Sequence, residues 1–308
     1  MKKLIFVALL CSLAVSAAAQ DKLPSAGAFS FGVTFNPAAK TGDVQFQPET
    51  GDFAGEYILG LGDCPKQMYM LAKDPLAAFN MRLQFSDYVA FKATLGCNGS
   101  KVNYKEFVTD DVAVKANPTS TDKVVDIVTS NMNMVSLGAG LEFYQGFGSL
   151  RLTTGVGAVY AVASGNMQFA YGNEITSENK TPTTMGMTQK KVGDTPTLNE
   201  SKGVSNTGPK IGWSRPLERK NVGVNTGIGI TCDMGLEYFL TDKIAIGGAL
   251  AFTPFMVVKQ GKTYSLYEGW ATNGNALVTY EDLVSPGSNA VLYGTENFSF
   301  RLSISCFL

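Results

Sequence analysis

Apolar and polar residues alternate along eight segments of the chain. The clearest is residues 221–238, in which Val, Ile, Cys, Met, Leu and Tyr fill nearly all of one set of alternate positions, and Asn, Gly, Thr, Asp and Glu fill the other. The same alternation occurs in residues 29–35, 77–85, 89–98, 135–143, 150–162, 244–252 and 298–308. Because successive side chains of a β-strand point to opposite faces, each segment predicts a strand with one apolar and one polar face.

The composition of the two faces distinguishes between two kinds of all-β protein. Taken alone, each segment also fits a half-buried strand of a soluble β-sandwich. However, Gly, Ser, Thr and Asn dominate the polar faces, and small residues of this kind suit the crowded interior of a barrel. No charged residue occurs on the apolar faces, where contact with lipid would cost a charge about 2–4 kcal/mol. These features favour a transmembrane β-barrel.

The connections between the eight segments alternate between long and short. Connections of about 35 residues or more follow the first, third, fifth and seventh segments, and tight turns follow the others. This predicts an eight-stranded antiparallel up-and-down transmembrane β-barrel, with four long extracellular loops and both chain ends in the periplasm. An additional hairpin within residues 57–71 is an open alternative, which would make ten strands.

The first twenty residues have the pattern of a signal peptide. Lys2 and Lys3 precede an apolar stretch over residues 4–15, and small residues follow it up to Gln20. The apolar stretch is shorter than the ~20 residues that a membrane-spanning helix needs. We therefore predict a signal peptide over residues 1–20 and a single barrel domain over residues 21–308.

Residues 235–248 resemble the hairpin signature of small outer-membrane β-barrel proteins, the OmpA-transmembrane and OmpX-like superfamily, and residues 140–144 repeat its first half. The last strand resembles the C-terminal assembly signal of that group, although it ends in Leu308 where an aromatic residue is usual, with Phe307 one place earlier. The resemblance implies the cell outer membrane of a Gram-negative bacterium, contact with outer-membrane lipid and assembly by the outer-membrane machinery. The Lys-Lys start and the Ala-Gln-Asp junction resemble Bacteroidetes sequences.

Charged residues on the polar faces predict an ionic network inside the barrel. They are Arg82, Lys92, Glu142, Arg151, Asp233, Glu237, Lys243 and Arg301. Counting from the turns places Arg82 opposite Lys92, and Glu142 opposite Arg151. An eight-stranded barrel has an interior that side chains just fill, so we expect these charges to pair and plug the lumen. An ion or proton path through the network is the functional alternative.

The composition argues against several kinds of function. Without residues 1–20 the chain has 23 basic and 26 acidic side chains, a balance unsuited to binding nucleic acid. The chain contains no His, which excludes His-based catalytic triads and His-ligated zinc. No motif marks another catalytic arrangement, so we predict that the protein is not an enzyme and has no cofactor or metal.

Four cysteines remain after the signal peptide. Cys64 and Cys97 lie in or next to the predicted loops and form either a disulfide or two free thiols. Cys232 and Cys306 lie on apolar faces, where a thiol acts as a small hydrophobic group. No CxxC pair or metal-ligand spacing occurs.

The predicted loops contain both tryptophans, Trp213 and Trp270. They are either anchors for a surface partner or packing residues between loops and at the membrane interface. Because long loops on a rigid scaffold commonly carry recognition, we predict a role in surface interaction, adhesion or envelope structure. The alternatives are a subunit of a larger outer-membrane complex and a narrow porin-like channel for small solutes.

Overall fold

The computed structural model describes residues 24–36, 77–185, 190–191, 211–272, 274–294 and 298–308. These residues form an all-β, antiparallel structure with thirteen strands and one short helix, α1 (Asp111–Ala116). The strands are β1 (Phe29–Phe35), β2 (Ala77–Ser86), β3 (Val89–Thr109), β4 (Lys123–Phe147), β5 (Leu150–Ala170), β6 (Lys190–Lys191), β7 (Ile211–Val222), β8 (Asn225–Phe239), β9 (Ile244–Gln260), β10 (Lys262–Ala271), β11 (Ala276–Ser285), β12 (Ser288–Tyr293) and β13 (Ser299–Phe307). No helix in this part of the chain is long and apolar enough to cross a membrane.

Eight of these strands pair in a cyclic order. The order is β1–β2–β3–β4–β5–β8–β9–β13, and β13 pairs again with β1, from Phe307 opposite Ser30 to Leu302 opposite Phe35. All eight predicted segments lie within or largely overlap these strands. The short turns β2–β3, β4–β5 and β8–β9 lie at the end of the structure where β1 begins and β13 ends.

Much of the sequence predicted as long loops forms strands instead. β3, β4 and β5 contain 21, 25 and 21 residues, so that only residues 110–122 connect β3 to β4. β7, β10 and β11 form a side sheet that joins β5 through β7, and β12 pairs with the far end of β9. We call the part of the structure beyond the predicted segments, on the side away from the short turns, the outer extension.

In the outer extension the apolar residues occupy the inward positions instead of the outward ones. This reversal explains why the sequence pattern did not predict the strands there. On β4, Val135 and Leu137 are exposed on the outside. Two positions before Val135, toward the outer extension, the outward residue is the polar Asn133. The inward positions there carry the buried residues Val128 and Met134. The strand continues with a period of two, but its apolar face turns from the outside to the inside.

A loop folds back into the outer extension against Asp126. This side chain on β4 is fully buried, and its two oxygens accept hydrogen bonds from the backbone N–H groups of Gly172 (2.9 Å) and Met185 (2.9 Å). Met185 packs with four buried apolar residues, Val108, Val128, Met167 and Phe169. The outer extension therefore has a small hydrophobic core of its own.

Candidate functional site

Six charged side chains from five neighbouring strands meet inside the ring of eight strands. They are Arg82 on β2, Lys92 on β3, Glu142 on β4, Arg151 on β5, and Asp233 and Glu237 on β8. Five ion pairs join them into one chain of alternating charge, in the order Arg151, Glu237, Arg82, Glu142, Lys92, Asp233. We call this chain of ion pairs the lumen network.

The arginine pairs at one end of the lumen network are the shortest. Glu237 accepts from the Nη2 of Arg151 at 2.5 Å and from its Nε at 3.0 Å, and Glu237 Oε1 lies 2.7 Å from Nη1 of Arg82. Nε of Arg82 lies 2.6 Å from Oε2 of Glu142. All four side chains are less than a tenth exposed. Each of these charges is therefore compensated by a partner away from bulk water, which is the condition for burying charge.

Lys92 extends the lumen network to Asp233. Its Nζ lies 3.2 Å from both a Glu142 oxygen and an Asp233 oxygen. Asp233 is opposite Gly155 on β5, and a Cβ at residue 155 would come within 2.6 Å of the Asp233 carboxylate. A glycine at this position leaves the space that the Asp233 side chain occupies.

Three aromatic rings surround the guanidinium group of Arg151. Its central carbon lies 4.0 Å from the ring centroid of Tyr144, 5.0 Å from that of Phe239 and 5.1 Å from that of Phe307. The Tyr144 hydroxyl donates to Glu142 at 2.9 Å. The rings close the lumen at the end that carries the short turns, and cation–π contact adds to the ion pair with Glu237.

These three aromatic residues near the short turns were not singled out from the sequence. Tyr144, Phe239 and Phe307 are buried on the inside, whereas Phe85, Tyr88, Phe143 and Tyr238, also near the turns, are exposed. The signal was present in the sequence. Phe143–Tyr144 and Tyr238–Phe239 are adjacent pairs, and adjacent residues of a strand face opposite sides.

Two predictions about the inward charges are wrong. Glu142 is opposite Gly155 and not Arg151, because β4 continues to Phe147 and turns tightly at Gly148 and Ser149, where Gly148 has a φ of +62°. Arg151 instead pairs with Glu237 across β5 and β8. Lys243 is exposed in the turn before β9 begins at Ile244, so it lies outside the lumen. Arg82 does lie opposite Lys92, as predicted.

A cavity of about 70 Å³ lies beside Lys92 and Asp233, on the side away from the Arg151 rings. Arg301 lines it together with small polar residues, among them Thr34, Asn80, Thr94 and Ser136. Its size and polarity suit a few water molecules. Further along the strands, Met134, Ala161, Ala163, Met256 and Val258 pack into a buried apolar cluster. Side chains therefore fill the interior at two levels, one ionic and one apolar.

The tryptophans do not lie in loops. Trp213 is in β7 and Trp270 is in β10, which are paired strands of the outer extension, and both rings are partly buried. Trp270 donates a hydrogen bond from its Nε1 to Asn275 at 3.3 Å, and the Lys180 ammonium lies 6.0 Å from its ring centroid. These contacts fit a packing role for Trp270.

Arg215 is a buried residue of the outer extension that sequence reasoning did not single out. Its Nε donates to Glu268 on β10 at 2.7 Å, its Nη1 donates to the carbonyl of Asn173 at 2.8 Å, and it lies 4.0 Å from the Tyr171 ring centroid. It therefore fixes the loop that follows β5 to the side sheet. No local pattern reveals this contact, because its partners are more than forty residues away in both directions.

Several predictions concern residues outside the described ranges. They are the signal peptide of residues 1–20, the additional hairpin of residues 57–71 and the partner cysteine Cys64. Cys97 is a free, exposed cysteine at the outer end of the apolar part of β3, and the choice between a disulfide with Cys64 and two free thiols involves a residue outside the described ranges. Within the described ranges, no group of three His, Cys, Asp or Glu side chains is arranged to hold a metal ion.

Comparison with known proteins finds matches among solved structures. No protein-family model and no curated protein matches the sequence. Among solved structures, the chain is similar to the outer membrane protein OprG from Pseudomonas aeruginosa, with 11% identity, a TM-score of 0.29, and coverage of 92% of this chain and 99% of that one. It is also similar to Ail, the attachment invasion locus protein of Yersinia pestis, with 8% identity, a TM-score of 0.30 and the same coverage. The fold described above follows from the strand pairings of the chain itself.

Proposed function

We propose that this protein is an eight-stranded transmembrane β-barrel of the outer membrane of a Gram-negative bacterium, with a plugged lumen and no catalytic activity. Its outer extension acts outside the membrane in surface interaction, adhesion or envelope structure. The observation that carries the proposal is the inverted distribution of side chains on the eight cyclic strands. Apolar side chains are exposed outward, while Arg82, Glu142, Arg151 and Glu237 are buried inside.

The exposed apolar side chains form a band around the ring of strands, which we call the apolar belt. It includes Phe31, Phe79, Met81, Leu95, Leu137, Ile228, Ile230, Leu236, Leu250, Leu302 and Ile304, each between 45% and 63% exposed. Along β4 the belt runs from Val135 to Phe143. At about 3.4 Å per residue and a tilt of about 40°, this stretch is roughly 20 Å high, close to the apolar band of outer-membrane barrels. Lipid is the environment that accepts such a surface.

The orientation follows from the positions of the turns. The short turns and both described chain ends lie at one end of the strands, and the outer extension lies at the other. Outer-membrane barrels have short periplasmic turns and longer extracellular segments. This supports a periplasmic position for the Arg151 end and an extracellular position for the outer extension.

The filled interior supports a plugged barrel over the porin-like alternative. Porins that conduct small solutes have roughly sixteen strands and an open aqueous lumen. Here the lumen network and the rings around Arg151 occupy one level, and the Met134–Met256 cluster occupies another. The ion pairs leave no free charge for transport among the six members of the lumen network.

Cell fractionation and heat modification test the barrel. We expect the full chain in the outer-membrane fraction, resistant to SDS at room temperature and shifted in electrophoretic mobility after boiling, because a closed barrel unfolds only on heating. A sample boiled before loading is the control for the unfolded position. Recovery of the protein in the soluble periplasmic fraction without detergent would contradict the proposal.

A pull-down from mild detergent tests the surface role. The tip of the outer extension exposes Phe107 (71%), Val112 (76%) and Val125 (36%), which cannot contact the belt lipids from there. We expect their replacement by Ser to lower partner recovery at least about tenfold, since exposed apolar side chains are typical contact anchors. Thr109→Ser and Thr121→Ser on the same tip are the matched controls.

The identity of the recovered partner distinguishes the remaining alternatives. A stoichiometric outer-membrane protein would favour a subunit of a larger complex, and an external ligand would favour adhesion. Equal recovery with the intact and the changed tip would contradict a surface role of these residues and leave envelope structure as the function.

A further inference from the structure

The cavity beside Lys92 and Asp233 lies inside the ring of eight strands, between the lumen network and the Met134–Met256 cluster. Its volume of about 70 Å³ is several times the ~10–15 Å³ that one water molecule requires. On β4 and β5 its wall includes Gly138, Gly140 and Gly157, so that no side chain enters the cavity from these three positions. The cavity therefore has room for a small ligand together with a few water molecules.

Positive charge predominates around this cavity. Lys92 and Arg301 both line it, whereas Asp233 is the one acidic residue among the described residues of its wall. Both carboxylate oxygens of Asp233 already accept from Nζ of Lys92, at 3.3 and 3.2 Å. The lumen network has three basic and three acidic members, so that Arg301 adds one positive charge to a set of interior side chains that is otherwise neutral in the described part of the chain.

Neutral hydrogen-bond donors complete the wall of the cavity. The lining side chains of this kind are Asn80, Thr94, Ser136, Thr231 and Thr253. Asn80 donates to the hydroxyl oxygen of Thr34, so the O–H group of Thr34, which also lines the cavity, can itself donate. Arg301 has five N–H donors and can hold a ligand beside another acceptor. Such a wall offers donors to an anion, whereas a cation would meet two like charges.

We infer that the cavity binds a small monovalent inorganic anion of the size of chloride, between Lys92 and Arg301. One negative charge equals the positive charge that Arg301 adds to the neutral lumen network. Charge inside a closed ring of strands is costly unless it is compensated and hydrogen-bonded, so the bound anion stabilises the folded barrel. This role goes beyond the proposed function and does not depend on what the outer extension binds.

Bromide diffraction locates the anion directly. The full chain is refolded, purified and crystallised in detergent with bromide as the only halide, and anomalous scattering is recorded at the bromine edge. We expect a bromide peak inside the ring of strands, within hydrogen-bond reach of Lys92 Nζ and the Arg301 guanidinium group. Bromide peaks confined to the outer surface of the protein would overturn the inference.

Thermal unfolding measures the contribution of the anion to stability. The protein is refolded in chloride or in gluconate, which is too large for the cavity, at equal ionic strength. We expect a midpoint about 3 °C or more higher in chloride, because a ligand that binds only the folded state stabilises it. Arg301→Gln should abolish this difference. The control Lys243→Gln removes one positive charge from an exposed turn and should keep it.

The outcomes separate the anion site from the barrel itself. Equal midpoints in chloride and gluconate for the unchanged protein contradict a stabilising anion. A chloride effect in Arg301→Gln as large as in Lys243→Gln contradicts this position of the site. If Arg301→Gln does not fold, the bromide diffraction of the unchanged protein decides. A heat-dependent mobility shift without bromide in the cavity refutes the anion site and leaves the proposed barrel intact.

Discussion

The Glu237→Gln variant is expected to lose about 3–5 kcal/mol of folding free energy, because it leaves two buried arginines without their shared carboxylate. Glu237 is 3% exposed and contacts both Arg82 and Arg151 at 2.7 Å or less. The free energy of unfolding is measured by guanidinium titration in detergent micelles, followed by tryptophan fluorescence. The control is Glu218→Gln, which removes a partly exposed carboxylate paired with one lysine and should change the free energy by less than about 1 kcal/mol.

Double-mutant cycles add a test of the connectivity within the lumen network. Arg151 and Glu237 are in direct contact, so their cycle should give a coupling of about 1–3 kcal/mol. Arg151 and Glu142 are joined through Glu237 and Arg82, so their coupling should be clearly smaller. A larger coupling for Arg151 and Glu142 would contradict the register of β4 and β5, and a loss below about 1 kcal/mol in Glu237→Gln would contradict a buried network.

The Leu137→Arg variant is expected to lose about 2 kcal/mol in a lipid bilayer, because Leu137 lies on the outward face of β4 inside the apolar belt, one outward position from its outer end. Leu137 is 53% exposed to the surroundings of the protein. If those surroundings were water, replacing such a side chain would change stability by less than about 0.5 kcal/mol. Urea or guanidinium titration in phospholipid bilayers measures the difference.

Asn133→Arg is the matched control for Leu137→Arg. Asn133 faces outward on the same strand, two positions beyond the last apolar residue of the belt. An arginine there is expected to cost no more than about 1 kcal/mol, as it does near the membrane interface. Equal effects of the two substitutions would contradict the position of the belt along β4.

The sequence pattern predicts the eight cyclic strands well because alternate residues there meet opposite demands, those of an exposed apolar outer face and of a buried polar inner face. From Val135 to Phe143 these demands produce an unbroken alternation, and the strand there matches the prediction. In the outer extension the buried apolar side chains lie on the inward face, so the two faces exchange character at Asn133 and Met134. A search for a constant apolar face therefore ends each strand too early.

The lumen network could be predicted as a set of residues but not as a set of pairs. The faces of Arg82, Glu142, Arg151 and Glu237 follow from the period of two. Their pairing depends on the register of the strands. The tight turn at Gly148–Ser149 places Glu142 opposite Gly155, whereas a wider turn would place it opposite Arg151. Contacts such as that of Arg215 with Asn173 join distant parts of the chain and leave no trace in the local pattern.

The cyclic pairing has a consequence for the order of assembly. The six members of the lumen network lie on strands β2 to β8, whereas the seam of the ring joins β1 to β13, the two strands farthest apart in the chain. Until β13 arrives, Phe307 is absent from the ring around Arg151 and Ser305 is absent from Nη1 of Arg82. An incomplete sheet thus keeps its charges hydrated, and the dehydration of the ion pairs falls on the last pairing step. A chain that lacks its last strand is therefore expected to leave the Arg82 and Arg151 ion pairs more accessible to water.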